Sequence, residues 1–531
     1  MNLVRLLEER AAIHPDRPAL VDLHRGRDRI LSFSELSRRV AAGSRRLREL
    51  GLRRGQTVLV FQPVSLELYE FLLAAFHGGL RVMLADPSAG RGFLALCCRR
   101  LAPDAFFGSW KAQVLRLWVP EMRRIPLALG TGPFFPGVTS WRTDGEPHAI
   151  VELPVDEPAL VTFTSGSTGV PKAAVRSHGF LLAQHAALSK ALSFEEGEVD
   201  LITLPVFVLA NLASGMTSVL AATDLSKPGS PDVGNVRAQC QRHKVMRCAA
   251  SPAFFEACLA SDEGMFPLKK LYTGGAPVFP DLLERLQKSL PSALVHSVYG
   301  STEAEPIAHF PADGLNPETR STTLHGGGLC AGHPVPEIEL RVIRNHWGTA
   351  LGPLTDTEFN ALEMPPVAAG EIIVSGDHVL SGYLDGLGNE ETKILVGEKK
   401  IWHRTGDAGW IDDDGKLWLL GRCSEKLTHH PAANGLPEEA ARFPFAIECA
   451  MRAHFPGVRM AALDWKGERM LACEQKFDVQ DETRIRNKAA DMGITRVVFL
   501  EGLPLDRRHN AKIDYPALRK AITSIAEQNS I

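Results

Sequence analysis

Cysteine is scarce and unpaired in this chain. Nine cysteines are scattered over 531 residues, none as a Cys-x-x-Cys pair and only Cys97 and Cys98 close together. That arrangement offers neither a disulfide framework nor a zinc-ligand spacing, and a reducing, cytoplasmic setting is expected. A basic excess is also missing: the formal net charge is -3 and the pI about 6.7, so no nucleic-acid partner is expected. Arg5, Glu8, Glu9 and Arg10 break up the N-terminal stretch that an export signal would keep apolar. There is no internal repeat and no low-complexity tract. One charge-free run, Leu201 to Thr223, is long enough to cross a bilayer, but Pro205, Asn211, Ser214 and Gly215 interrupt it and Asp224 and Lys227 follow. A buried strand followed by a core helix is expected there, with room left for peripheral membrane contact.

What is present is a repeated alternation of helix and strand patterns. Leu36, Val40, Leu47 and Leu50 recur at helical spacing before a β-rich run at Thr57–Phe61. LELYEFLLAAFHGG and RVMLAD repeat that order, as do PDLLERLQKSL and ALVHSVYG. An α/β fold with largely parallel sheets follows. The arginine pairs Arg38/Arg39, Arg45/Arg46 and Arg53/Arg54 fall between the apolar positions of one amphipathic helix and its turn, so they read as a solvated face. Glu371–Tyr383 and Lys416–Arg422 read as strands with tight turns, after which Cys423–Pro444 becomes polar and rich in Pro, Gly and Ala. This shift divides a large domain of packed α/β layers (1–422) from a small α/β domain (423–531).

The segment Thr164, Ser165, Gly166, Ser167, Thr168, Gly169, ending at Lys172, directly follows the apolar run ALVTF. Glycines let backbone N–H groups approach phosphate oxygens, hydroxyls donate hydrogen bonds, and lysine supplies the countercharge. Taken alone, the composition suits a phosphate-binding loop or a flexible surface turn, and it departs from the Walker A pattern because Lys172 lies between Pro171 and Ala173.

The loop resembles the signature of the adenylate-forming superfamily, which includes acyl-CoA synthetases, adenylation domains and luciferases. Its other signatures follow in order: LYTGGAP at Leu271–Pro277, YGSTE at Tyr299–Glu303, EIIVSG at Glu371–Gly376, TGD at Thr405–Asp407, GR at Gly421–Arg422 and NAK at Asn510–Lys512. The resemblance implies a ligase that joins a carboxylic acid to the AMP moiety of ATP and releases pyrophosphate. It further implies that Tyr299 stacks on adenine, with Gly300 and Ser301 beside it. Thr302 contacts the α-phosphate, Glu303 holds Mg²⁺, and Asp407 and Arg422 bind the ribose. Gly274, Gly275 and Ala276 let backbone approach the nucleotide and acyl pocket. Lys512 reaches the reacting carboxylate and α-phosphate, where a cation between two anions lowers the barrier.

Within the superfamily the chain looks most like the olefin-biosynthesis β-lactone synthetases. The histidine usual after Leu-Pro in acyl-CoA synthetases is absent between Leu204 and Ser226, and SPAFFEACL, TGGAPVFPDLL and RRHNAKID point the same way. Those enzymes adenylate a 2-alkyl-3-hydroxy acid whose own hydroxyl displaces AMP, and they imply a condensing enzyme, a reductase and a decarboxylase in the same olefin pathway. The alternative is a fatty acid–CoA ligase, with coenzyme A as acceptor. Ser424 stands at the hinge position, which is usually Asp or Lys, and Cys423–Gly435 lacks the usual paired acids. Val206–Leu212 with Phe254 and Phe255 offer an apolar lining or plain core.

Two other classes compete. A non-catalytic nucleotide-binding relative is disfavoured by Lys172, Glu303, Asp407, Arg422 and Lys512 occurring together. A hydrolase is suggested by the elbow-like spacing Gly328-Leu329-Cys330-Ala331-Gly332, but the glycines argue against a strand there. His429 and His430 are adjacent and read as surface residues rather than metal ligands.

Overall fold

A computed structural model describes residues 1–164, 170–427, 440–474, 479–505 and 513–528. The chain forms two compact units. The first comprises Met1–Ala222, Gln239–Arg247 and Asp377–Glu390; the second comprises Thr223–Ala238, Cys248–Gly376 and Glu391–Ile531.

In the first unit a seven-stranded sheet has the order Thr139–Ser140, Leu127–Thr131, Ala105–Ser109, Thr57–Phe61, Arg81–Leu84, Pro158–Thr164, Lys172–Ser177. All neighbours are parallel except the last pair, a hairpin in which Thr164 faces Lys172. Its strands read as continuous apolar runs because both faces are covered, and all five residues of Thr57–Phe61 are buried. The helix Phe33–Glu49 begins at Ser32, whose hydroxyl accepts the Glu35 amide at 3.2 Å, and it buries Leu36, Val40 and Leu47. Its arginines are paired: Arg38 and Arg39 with Glu35, Arg39 also with Glu70, and Arg45 with Glu49.

The run 201–223 is strand Val199–Ile202, helix Phe207–Ala213 and a second strand, Thr217–Leu220. The expected strand and core helix are there, and Thr217–Leu220 returns to pair with the first strand. Among the described residues no helix is long and apolar enough to cross a membrane.

The expectation of largely parallel sheets fails in the second unit. There the order Glu339–Ile343, Gly370–Ser375, Lys400–Ile411, Leu417–Arg422, Leu329–Pro334, Ala304–Pro311, Leu294–Ser301 is antiparallel throughout, and only the next strand, Lys270–Gly274, is parallel to its neighbour. These strands are joined mostly without a crossover helix, which is what parallel pairing requires. Near the C-terminus, Met460–Trp465, Glu468–Glu474 and Arg496–Leu500 form a three-stranded sheet. Ile447, Met451, Leu471, Ile485 and Ile494 pack in one of its two cores, and Leu463, Leu500 and Leu518 in the other.

Candidate active site

In the second unit, three of the residues singled out in the sequence meet. Tyr299 lies near the end of Leu294–Ser301, Asp407 in Lys400–Ile411 and Arg422 at the end of Leu417–Arg422, where Asp407 and Arg422 are register partners. The Tyr299 hydroxyl donates to Asp407 Oδ2 at 2.6 Å, and Arg422 Nη1 lies 3.1 Å from Asp407 Oδ1. Burial, and then the Asp407 carboxylate, push the Tyr299 phenol well above its usual range, so it stays a donor. Asp407 in turn raises the Arg422 guanidinium.

The carboxylate is oriented from behind. Thr405 Oγ1 accepts the Asp407 amide at 3.0 Å and donates to the Ile372 carbonyl at 2.9 Å, tying the Thr-Gly-Asp segment to the neighbouring strand. Gly406 has φ of +74°, and a Cβ there would lie 2.9 Å from the Trp347 ring. Beneath this, Arg404 and Glu371 form a bidentate pair at 2.6 and 2.8 Å, each with a side chain 0% exposed.

Gly274 closes the strand Lys270–Gly274, where a Cβ would strike the Val298 carbonyl at 2.6 Å; Gly275 has φ of +79° with open space around it, and Ala276 follows in the turn. Thr302 and Glu303 form the turn that joins Leu294–Ser301 to Ala304–Pro311. Ser301 Oγ accepts the amides of Glu303 and Ala304, each at 3.3 Å, and a Cβ at Gly300 would crowd the Ala304 carbonyl at 3.1 Å. The Glu303 carboxylate acts electrostatically on both Arg422 and Lys393. Ser424 is exposed in the short turn Cys423–Glu425.

In the first unit, Lys172 reaches across Gly388 and places Nζ 5.9 Å from the centre of the Tyr383 ring. Arg100 donates to the Pro171 carbonyl, and to that of Leu384 at 3.0 Å, so the end of the loop is held to the 384 segment. Ser165, Gly166, Ser167, Thr168, Gly169, His429, His430 and Lys512 lie outside the described residues.

One pair was missed by sequence reasoning. Lys393 and His403 are both buried, with Nζ 3.1 Å from Nδ1, and burial pushes the ammonium down to about 7. In NEETKILV, Lys393 has no pattern that separates it from a surface lysine.

Cys330 corrects a local expectation, because it lies in a strand, Leu329–Pro334. Gly328 supplies φ of +93° at the strand entrance instead of preventing the strand. Cys330 is buried, and desolvation pushes its thiol up to about 12, which leaves no accessible nucleophile.

Three strands thus set a carboxylate between a phenol and a guanidinium, in a chain of the adenylate-forming class. The chain belongs to the AMP-binding enzyme family, which matches residues 7–384, and it is an AMP-forming ligase that activates a carboxylic acid with ATP. It is 29% identical to the olefin beta-lactone synthetase of Xanthomonas campestris pv. campestris over 92% of this chain and 90% of that one. Its fold is similar to that of the anthranilate CoA ligase AuaEII in complex with anthranoyl-AMP, with TM-score 0.78, 16% identity and coverage of 98% and 97%. It is also similar to that of ATP-bound MatB from Rhodopseudomonas palustris, with TM-score 0.77, 18% identity and coverage of 99% and 100%.

Proposed function

We propose that this ligase adenylates a 2-alkyl-3-hydroxy fatty acid and then closes it to a β-lactone. The observation that carries this reading is the near full-length similarity to an olefin beta-lactone synthetase. In the first unit Val206, Leu209, Ala210 and Leu212 line a mostly apolar pocket of about 50 Å³, too small for a long alkyl chain. Phe254 and Phe255, by contrast, are fully buried against each other and act as core.

In this reading Asp407 accepts hydrogen bonds from the ribose hydroxyls, Arg422 and Tyr299 hold that carboxylate, and Tyr299 offers its ring to adenine. Thr302 meets the α-phosphate, while the loop 164–169 and Lys172 take the outer phosphates. A hard carboxylate in a tight turn fits Mg²⁺, so Glu303 would hold the ion, whose charge would offset that of the phosphates. The substrate carboxylate attacks the α-phosphorus and pyrophosphate leaves, with Lys512, carried on the small domain 423–531, between the two anions. The 3-hydroxyl oxygen then attacks the acyl carbonyl, its proton passes to a base, and AMP leaves. No coenzyme A is needed, and Ser424 serves as the hinge.

Product analysis with Mg·ATP and a 2-alkyl-3-hydroxy acid or a simple long-chain fatty acid, with and without coenzyme A, tests the reading. CoA-independent AMP release with a lactone is expected from the hydroxy acid. Acyl-CoA formed only when coenzyme A is present, with no lactone, would make the enzyme a fatty acid–CoA ligase. ATP binding without AMP from any acid would make it a non-catalytic relative.

A further inference from the structure

The helix Trp110–Trp118 packs Ala112 and Leu115 against the core and turns a second apolar stripe outward. Its buried residues are Ala112, Gln113 and Arg116, whereas Trp110, Val114, Leu117 and Trp118 are exposed, Trp118 by 65%. The exposed four are spaced i, i+4, i+7 and i+8, which makes one continuous stripe. Polar hooks hold the inner face: the Gln113 amide donates to the Leu129 carbonyl at 2.8 Å, and Arg116 Nε donates to Gln113 Oε1 at 3.1 Å. Much of the apolar stripe is therefore left uncovered by its own unit. Phe134, 90% exposed, lies three residues beyond the strand Leu127–Thr131, whose Thr131 pairs with Ser109 at the helix start. The chain thus leaves that strand beside the strand end from which Trp110 begins.

The stripe is rimmed by positive charge. Lys111 Nζ lies 5.9 Å from the Trp110 ring centre and the Arg91 guanidinium 5.8 Å from that of Trp118, while Arg123 and Arg124 are exposed just beyond the helix. Residues 91–124 hold seven arginines and lysines against two acids, in a chain whose net charge is -3. Of these, Arg116 is buried, Arg99 meets Glu121 and Arg100 lies 3.6 Å from Asp385, while among the described residues no acid pairs with Arg91, Lys111, Arg123 or Arg124.

We propose that this face docks the enzyme on an anionic lipid surface. Tryptophans at both ends of an apolar stripe, with cations around it, match the bilayer interface, where amphipathic rings sit at headgroup depth and Lys and Arg meet anionic lipid. A protein interface core tends instead to exclude lysine. With no membrane-crossing helix among the described residues, attachment is peripheral and reversible. Each cation near an anionic surface is worth roughly a fivefold change in partitioning.

The test is co-sedimentation of the full-length protein with phosphatidylcholine vesicles made with or without phosphatidylglycerol, at low and high salt. Binding that depends on phosphatidylglycerol and weakens with salt is expected. Lys111→Gln/Arg123→Gln should reduce it by roughly tenfold or more, as should Leu117→Ser/Trp118→Ser, while Arg45→Gln should not. AMP formation from a short, water-soluble acid should be unchanged in all variants, which shows that they fold and separates this result from the identity of the natural substrate. No binding to anionic vesicles, or binding that the first two variants leave intact, overturns the proposal. Vesicle binding unaltered while Leu117→Ser/Trp118→Ser dissolves a self-associated species would overturn it too and make the face a contact between protein chains.

Discussion

Tyr299 and Asp407, 108 residues apart in sequence, share a 2.6 Å hydrogen bond in which the phenol donates to the carboxylate. Under the proposed function the bond orients Asp407 for the ribose hydroxyls. Tyr299→Phe keeps the ring and removes the bond, and a hydrogen bond to a charged group contributes about 1.5–3 kcal/mol. A rise of roughly tenfold or more in the KM for ATP is expected, with a smaller change in kcat; steady-state kinetics would show it. Asp407→Ala should be more damaging, because it also strands Arg422. A Tyr299→Phe enzyme with unaltered KM for ATP would separate the pair from nucleotide binding.

Arg404 and Glu371 are a fully desolvated pair two strands deep. Removing one member leaves an uncompensated buried charge, which typically costs about 3–5 kcal/mol. Arg404→Met is therefore expected to lower the melting temperature steeply, and Arg404→Met/Glu371→Leu to recover much of the loss. A double variant no better than the single one would show that the pair acts through more than its charges.

His77 is 1% exposed, its ring nitrogens have no hydrogen-bond partner, and burial depresses its pKa to about 4. An unfolded histidine takes up its proton near 6.5, so the unfolded state binds the proton first and stability is lost as the pH falls from about 6.5 to about 4. His77→Leu should flatten that loss by about 2–3 kcal/mol, as measured by denaturant unfolding across the window. An unchanged slope would place the acid sensitivity elsewhere, with His178 the next residue to replace, since burial depresses it in the same way.

Lys393 has the opposite window. Its folded pKa is near 7 against 10.5 for the free side chain, so folding expels a proton between those values and the penalty shrinks as the pH rises through them. Lys393→Met should be more stable than the parent near pH 7, by on the order of a few kcal/mol, with the advantage fading towards pH 10. Parallel thermal melts would show this; an advantage that does not vary with pH would mean that Lys393 keeps its charge in the fold.

Cys330→Ala should leave AMP formation intact and cost only the packing of a small buried side chain, about 1 kcal/mol. Loss of all turnover in this variant, with the fold preserved, would revive a thiol-dependent reaction.

Local sequence was enough for much of the architecture. The helix Phe33–Glu49 and the strand Thr57–Phe61 follow from apolar spacing and turn residues. The misreadings were positional. Gly328 looked like a breaker but supplies a left-handed entry to a strand, and the helix–strand alternation does not reveal that the second unit pairs its strands antiparallel.

The site divides along the same line. Tyr299, Asp407 and Arg422 stand out in the sequence through the resemblance of YGSTE, TGD and GR to the adenylate-forming signatures; taken singly, Asp407 beside a glycine reads as a turn residue. Their convergence came from strand register, which sets residue 407 opposite 422 and brings the hydroxyl of 299 onto the same carboxylate. Charge was the least legible property. Each arginine pair that stands out in the sequence has at least one member matched by an acid in space, while Lys393 is stripped of water and the tryptophan stripe is turned outward. A sequence fixes which groups carry charge or apolar surface; only the tertiary structure determines what lies within a few ångströms of each and whether water reaches it, and those two quantities set its energy.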